Sequence, residues 1–109
     1  MPKYGLHGKM LAQPGQRDAL VALLLEAARQ MEGMPGCALY LIATAPTEAD
    51  AIWITEVWES QDAHDASLTL PAVQATIARA RPLIAGFGER FETIPVGGKG
   101  LAETAEDAR

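Results

Sequence analysis

The sequence predicts an α+β domain in which helices cover one face of an antiparallel sheet. Two observations carry this. Apolar residues alternate with a period near 2 in some segments and near 3.6 in others, in the order strand, helix, strand, strand, helix, strand. Turn and cap residues, among them Pro14-Gly15, Pro35-Gly36 and Ser60, fall between those segments.

Residues 3–12 read as the first strand, closed by Pro14-Gly15. The next segment is helical: Leu20, Leu23, Leu24, Ala27, Ala28 and Met31 recur at i, i+3, i+4, i+7, i+8 and i+11. Gln16, Arg17, Glu26, Arg29 and Gln30 take the other positions, and Asp18 suits the positive end of the helix dipole. Gly33 and Pro35-Gly36 end this helix. Residues 37–44 and 51–59 read as a hairpin joined by a polar turn over 45–50. Ser60 is an N-cap residue, so a short helix is expected over 60–68. Pro71 fits the first turn of a further helix reaching about Ile84, with Val73, Ile77, Ala80 and Ile84 in one stripe. Pro82 disturbs its last turn and Gly86 ends it. The last strand is expected over 87–96. Residues 1–96 then form the domain, and 97–109, small and polar after Gly97-Gly98, read as a flexible tail.

The resulting β-α-β-β-α-β order is the ferredoxin-like plan, in which both helices lie on one face of the sheet. The opposite face of such a sheet is polar in a monomer. Here Ile52 and Ile54 alternate with Trp53 and Val57, and Leu39 and Leu41 alternate with Tyr40 and Ile42, so both faces are apolar. The expectation is a homodimer whose two sheets pack face to face.

Composition narrows the function classes. The net charge is −5, from 9 basic and 14 acidic residues, with no basic stripe, so neither nucleic acid nor an anionic membrane surface is an expected partner. Cys37 is the single cysteine, which rules out an intramolecular disulfide, and with only two, widely separated histidines no structural zinc spacing exists. The N-terminal residues lack the apolar core of a signal peptide and no apolar run approaches membrane-spanning length, so a cytoplasmic protein is expected.

The residues able to do chemistry concentrate in Glu56-Val57-Trp58-Glu59-Ser60-Gln61-Asp62-Ala63-His64, where a strand runs into a helix start. His64 suits acid–base work near neutral pH, and equally suits a surface contact between Asp62 and Asp65. Trp58 is either a core filler or the wall of a pocket for a flat ligand. Glu56 shares its strand face with Trp58; if helices cover that face it is a buried carboxylate that needs a partner, with Arg79, Arg81 and Lys9 as candidates. His7 lies on the face of the first strand opposite Tyr4, Leu6 and Met10, where it either lines a pocket or meets solvent at the sheet edge. Tyr40 is an interface aromatic or a phenol donor to a ligand. Cys37 reads as a small buried hydrophobe.

Pro35-Gly36-Cys37, Tyr40, Glu56-x-Trp58 and Ala63-His64, in this order on this plan, resemble the antibiotic biosynthesis monooxygenase (ABM) family over nearly the whole chain to about residue 96. The resemblance implies a dimeric α+β barrel, in agreement with the two apolar sheet faces. It also implies cofactor-independent oxygenation: a small phenolic or hydroquinone substrate is deprotonated, its anion reduces O2, and a quinone forms. Carried over by position, His64 and Trp58 become catalytic with Glu56 as the companion carboxylate, and no metal or cofactor is needed. Tyr40 and His7 stand beside them as substrate-binding candidates from the reading of the residues. The haem-degrading branch of the same fold uses an Asn–Trp–His set, and this chain has no asparagine. A branch acting on a phosphorylated sugar needs a basic cluster that is also absent here.

Two function classes therefore stand: a quinone-forming monooxygenase with His64 as base, and a non-catalytic dimer that binds a small ligand or serves in stress. A closed apolar cavity bordered by His64 and Trp58 favours the first, and a packed interior with His64 in water favours the second.

Overall fold

The computed structural model describes residues 2–101. The elements are β1 (Tyr4–Ala12), α1 (Arg17–Met31), β2 (Cys37–Ala45), β3 (Glu48–Trp58), α2 (Gln61–Ser67), α3 (Pro71–Ala80), a 3₁₀ turn (Arg81–Leu83) and β4 (Ile84–Thr93). The four strands form one antiparallel sheet in the order β2-β3-β1-β4, and the fold is the expected ferredoxin-like α+β arrangement.

Several boundaries differ from the sequence expectation. The helix that opens at Pro71 stops at Ala80 instead of reaching Ile84. Pro82 has no N–H to donate and its ring crowds the preceding turn, so the chain tightens into the 3₁₀ turn and Ile84 is already extended at φ −93°, ψ 125°. As a result β4 starts three residues early. It also ends at Thr93 rather than at residue 96, because Pro95 cannot donate to a ladder. The hairpin turn is shorter than 45–50: Ala45 already pairs with Glu48, which leaves only Pro46 and Thr47 between the strands. Of the expected tail, residues 97–101 close a small bridge between Gly98 and Leu101, and residues 102–109 lie outside the described residues.

The core lies between the sheet and the helices and has two centres. Tyr4, Leu6, Met31, Trp58 and Val73 form one; Ala12, Leu20, Leu24, Ile52 and Ala80 form the other. Leu20, Ile52 and Trp58 are completely buried, each worth about 1.5–3 kcal/mol in area removed from water. The two long helices are tied across the top by Gln30 with Thr76 and by Arg79 with Glu26.

The other face of the sheet carries no helix. His7 stacks on Trp53 with ring centroids 4.7 Å apart, and its Nδ1 lies 2.9 Å from Thr55 Oγ1. Phe91 flanks the same ring at 6.4 Å, and Lys9 reaches over Trp53 while paired with Glu48 and Glu89. Leu41 and Phe91 remain 50% and 52% exposed, so this face keeps uncovered apolar surface. Among the described residues no helix is long and apolar enough to cross a membrane.

Candidate functional site

The site is assembled at the end of β3. Glu59 N–H donates to the Gly36 carbonyl at 2.7 Å, which pins the strand end to the turn before β2. Gly36 has φ +90°, and a Cβ there would meet the Ala63 methyl at 2.9 Å, so glycine is what lets this turn close against α2. The Ser60 hydroxyl accepts the Ala63 N–H at 3.1 Å and caps α2 as expected. This cap sets the orientation of a seven-residue helix that is too short to persist by itself, and places His64 on its inward side.

His64 is held from four directions and is only 9% exposed. Tyr4 packs against its ring at 5.3 Å, and Trp58 meets it edge-on at 5.7 Å and 77°. Nδ1 lies 3.1 Å from Asp65 Oδ1, and Nε2 lies 3.9 Å from Glu56 Oε1. The first distance is a hydrogen bond; the second is an electrostatic contact beyond hydrogen-bond range. The tautomer that satisfies Asp65 carries its proton on Nδ1 and leaves the Nε2 lone pair facing Glu56.

Glu56 is paired, but with none of the cations proposed from the sequence. Trp58 Nε1 donates to Glu56 Oε1 at 3.0 Å, across one strand repeat. Arg79 is taken by Glu26 and Lys9 by Glu48 and Glu89, the latter on the far face of the sheet. Tyr40 stands opposite Glu56 on β2. Burial, and then the neighbouring Glu56 charge, push its phenol well above the ordinary tyrosine range, so it is a neutral donor at any working pH. Tyr40 lines the cavity.

That cavity measures about 610 Å³, a volume typical of small-molecule sites. Its walls are mostly apolar, with Met10, Leu23, Leu24, Ile54, Val73 and Ile77 prominent, and its polar groups include Tyr40, Glu56, His64, Thr76 and Arg81. Leu68, Phe87 and Arg81, all exposed, mark its mouth, so it is open rather than closed. Among the described residues no group of three or more His, Cys, Asp or Glu side chains is placed to hold a metal ion.

The structure thus brings together Glu56, His64 and Tyr40 on one cavity. Trp58 does not border it. The indole is fully buried behind Glu56, because even-numbered β3 residues face the helices and Trp58 is the last of them, under Tyr4 and His64. His7 is not at this site either: it sits on the opposite face, and not at a sheet edge, since β1 lies between β3 and β4. Sequence reasoning missed Tyr4 as a group that holds His64, and placed Asp65 beside it only as a surface contact. Tyr4 had a signal in the antiparallel pairing that sets it opposite Trp58, visible only once register is known.

These features define an α+β protein with an open, largely apolar cavity and a histidine–carboxylate pair at the strand-to-helix junction. Residues 4–79 match the family model for antibiotic biosynthesis monooxygenase, and the chain belongs to that family. The chain is 58% identical to a protein of Chloroflexus aurantiacus J-10-fl provisionally assigned as an antibiotic biosynthesis monooxygenase; the match covers 92% of this chain and 99% of that one, with a TM-score of 0.84. A Caulobacter crescentus CB15 protein with the same provisional assignment is 22% identical over 87% of this chain and 91% of that one, with a TM-score of 0.80. SnoaB, a cofactor-independent oxygenase from Streptomyces nogalater, is 13% identical over 91% of this chain and 98% of its own, with a TM-score of 0.76. The last two likenesses show the fold alone. No protein with a curated description matches the chain.

Proposed function

We propose that the protein is a cofactor-independent monooxygenase that oxidises a small phenolic or hydroquinone substrate with O2 to a quinone. The observation that carries this reading is His64, fixed by Asp65 on one nitrogen and presenting the other beside Glu56 at a largely apolar cavity. The substrate hydroxyl gives its proton to His64 Nε2. Asp65 and Glu56, one on each side of the ring, stabilise the imidazolium that forms. Tyr40 donates to the developing oxyanion, and the apolar walls strengthen both interactions. The electron-rich anion then passes four electrons to O2. For a phenol with a free para position, one oxygen atom becomes the second quinone oxygen. The other leaves as water with two hydrogens from the substrate. Trp58 acts through Glu56, as a positioning residue. His7 belongs in this reading to the surface where two copies meet, and the working unit is a homodimer formed through the helix-free sheet face.

Oxygen uptake by metal-free protein, measured with a panel of hydroquinones and anthrones, tests the reading. Uptake that falls by about two orders of magnitude or more in His64→Ala supports it. No uptake across the panel, or uptake indifferent to that substitution, removes it. One observation favours a second reading, a ligand-binding dimer without chemistry: the cavity is open to solvent at Leu68 and Phe87. Saturable binding of the same compounds with no oxygen consumption is its signature.

A further inference from the structure

We propose that the ligand of this cavity is an aromatic acid, and that Arg81 at the mouth selects it by pairing with a carboxylate remote from the reacting hydroxyl. This rests on the reading of the cavity as the substrate site.

The cavity has two polar ends of different character. At the inner end are Glu56, His64 and Tyr40, an arrangement that takes a proton and offers a neutral hydrogen bond. At the outer end is Arg81, which follows α3 and precedes Ile84. The sheet register separates the two ends. Glu56 pairs with Leu6 on β1, whereas Ile84 pairs with Ala12, six residues further along the same strand. That is about 20 Å of backbone at the usual strand rise, on the scale of an extended aromatic ligand together with the arginine side chain that would meet it.

Arg81 is also the cationic side chain on the cavity wall that no carboxylate claims. The chain has 9 basic and 14 acidic residues, so acidic partners are abundant. Arg17 pairs with Asp18, Arg79 with Glu26, Lys9 with Glu48 and Glu89, and Arg90 lies 3.9 Å from Glu92. Arg81 has no such pair among the described residues. Position at the C-terminal end of α3 accounts for a positive charge there. It does not account for a lone cationic residue on the wall of a largely apolar cavity. A planar fork of N–H donors at that place matches a carboxylate in two-point contact, while the aromatic body fills the apolar length behind it.

Calorimetric titration of the full chain with anthraquinone-2-carboxylate and with anthraquinone-2-carboxamide tests the proposal. The two probes share shape and differ in charge, and neither can be oxidised at the ring carbonyls, so the result is independent of whether the protein is an oxygenase. The acid is expected to bind about fivefold more tightly than the amide, a preference that shrinks when salt is raised to about 0.5 M. In Arg81→Gln the two probes bind within about twofold of one another with amide affinity unchanged, and Arg81→Lys restores part of the preference. Equal affinities in the natural protein, a preference that survives Arg81→Gln, or failure of both probes to bind overturns the proposal.

Discussion

The indole N–H of Trp58 donates to Glu56 Oε1 at 3.0 Å, so the largest buried side chain of the core holds the carboxylate of the cavity. Two substitutions separate the stabilising from the chemical part of this pair. Trp58→Phe empties volume in a fully buried position and leaves Glu56 without its donor, and is expected to cost about 2–4 kcal/mol of stability. Glu56→Gln keeps an oxygen that can accept from the indole, so its stability cost stays near or below about 1 kcal/mol. It removes the negative charge beside His64 Nε2, and oxygen uptake is expected to drop by about tenfold, the effect of about 1.4 kcal/mol. Urea unfolding and an oxygen electrode read the two quantities. A Glu56→Gln variant as unstable as Trp58→Phe, or one with undiminished uptake, contradicts this division.

The cap on α2 is a second point where a small change is expected to be felt at the site. Ser60→Ala removes the acceptor for the Ala63 N–H and is expected to cost about 1 kcal/mol, lowering Tm by about 4–8 °C in a domain of this size. Ser60→Asp keeps a capping acceptor and restores most of the loss. Thermal unfolding of the three proteins side by side checks this; equal Tm values for the natural protein and the Ser60→Ala variant refute it.

The capping signal is legible in the sequence because it is local: Ser60, its helix and the break from β3 all lie within a few residues of one another. The strand and helix order is legible for the same reason, through hydrophobic period. Pro82 signals a disturbance, but its full effect, an early start of β4, depends on Ile84 finding Ala12 to pair with, a contact across 72 positions. The site is legible in part. The ordered set Glu56, Trp58 and His64 marks the strand-to-helix junction from which Glu56 and His64 reach the cavity. What each residue touches depends on strand order, register and helix packing, which is why Trp58 emerges behind the cavity and His7, on the face the alternation gives it, stacks on Trp53 inside the sheet rather than at its edge. Tyr4, near one end of the described chain, and Arg81, at the far end of the cavity, carry no local pattern that distinguishes them from a core aromatic and a helix-terminal cation.

Tyr40 gives a pH signature with a definite sign. Burial and the Glu56 charge raise its phenol in the folded protein, while the unfolded chain titrates at the ordinary value of about 10. Below that pH both states hold the proton and the contribution to stability is complete. Above it the unfolded state releases a proton that the folded state retains, so stability falls as pH rises toward the folded value. Tyr40→Phe cannot titrate and is expected to show a shallower alkaline loss. Urea midpoints at about pH 9, 10 and 11 for the two proteins measure the difference. Tyr4 is present in both and cancels. Parallel pH dependence in the two proteins contradicts the assignment.

The helix-free sheet face supplies the last expectation. A lone chain leaves Leu41 and Phe91 half-exposed beside the His7–Trp53 stack, apolar surface that a second copy is expected to cover by self-complementary packing. Sedimentation at low micromolar concentration is expected to give twice the 11.6 kDa chain mass. Leu41→Glu tests the face directly. In a single chain the new carboxylate stands at a position that is 50% exposed, where a polar substitution shifts stability by no more than about 0.5 kcal/mol. In a two-fold dimer the substitution enters twice, and each carboxylate must be stripped of water against an apolar partner surface. The variant is therefore expected to sediment as a folded monomer with an unchanged far-ultraviolet dichroism spectrum. A natural protein that sediments as a monomer, or a Leu41→Glu variant that remains a dimer, removes this face as the contact.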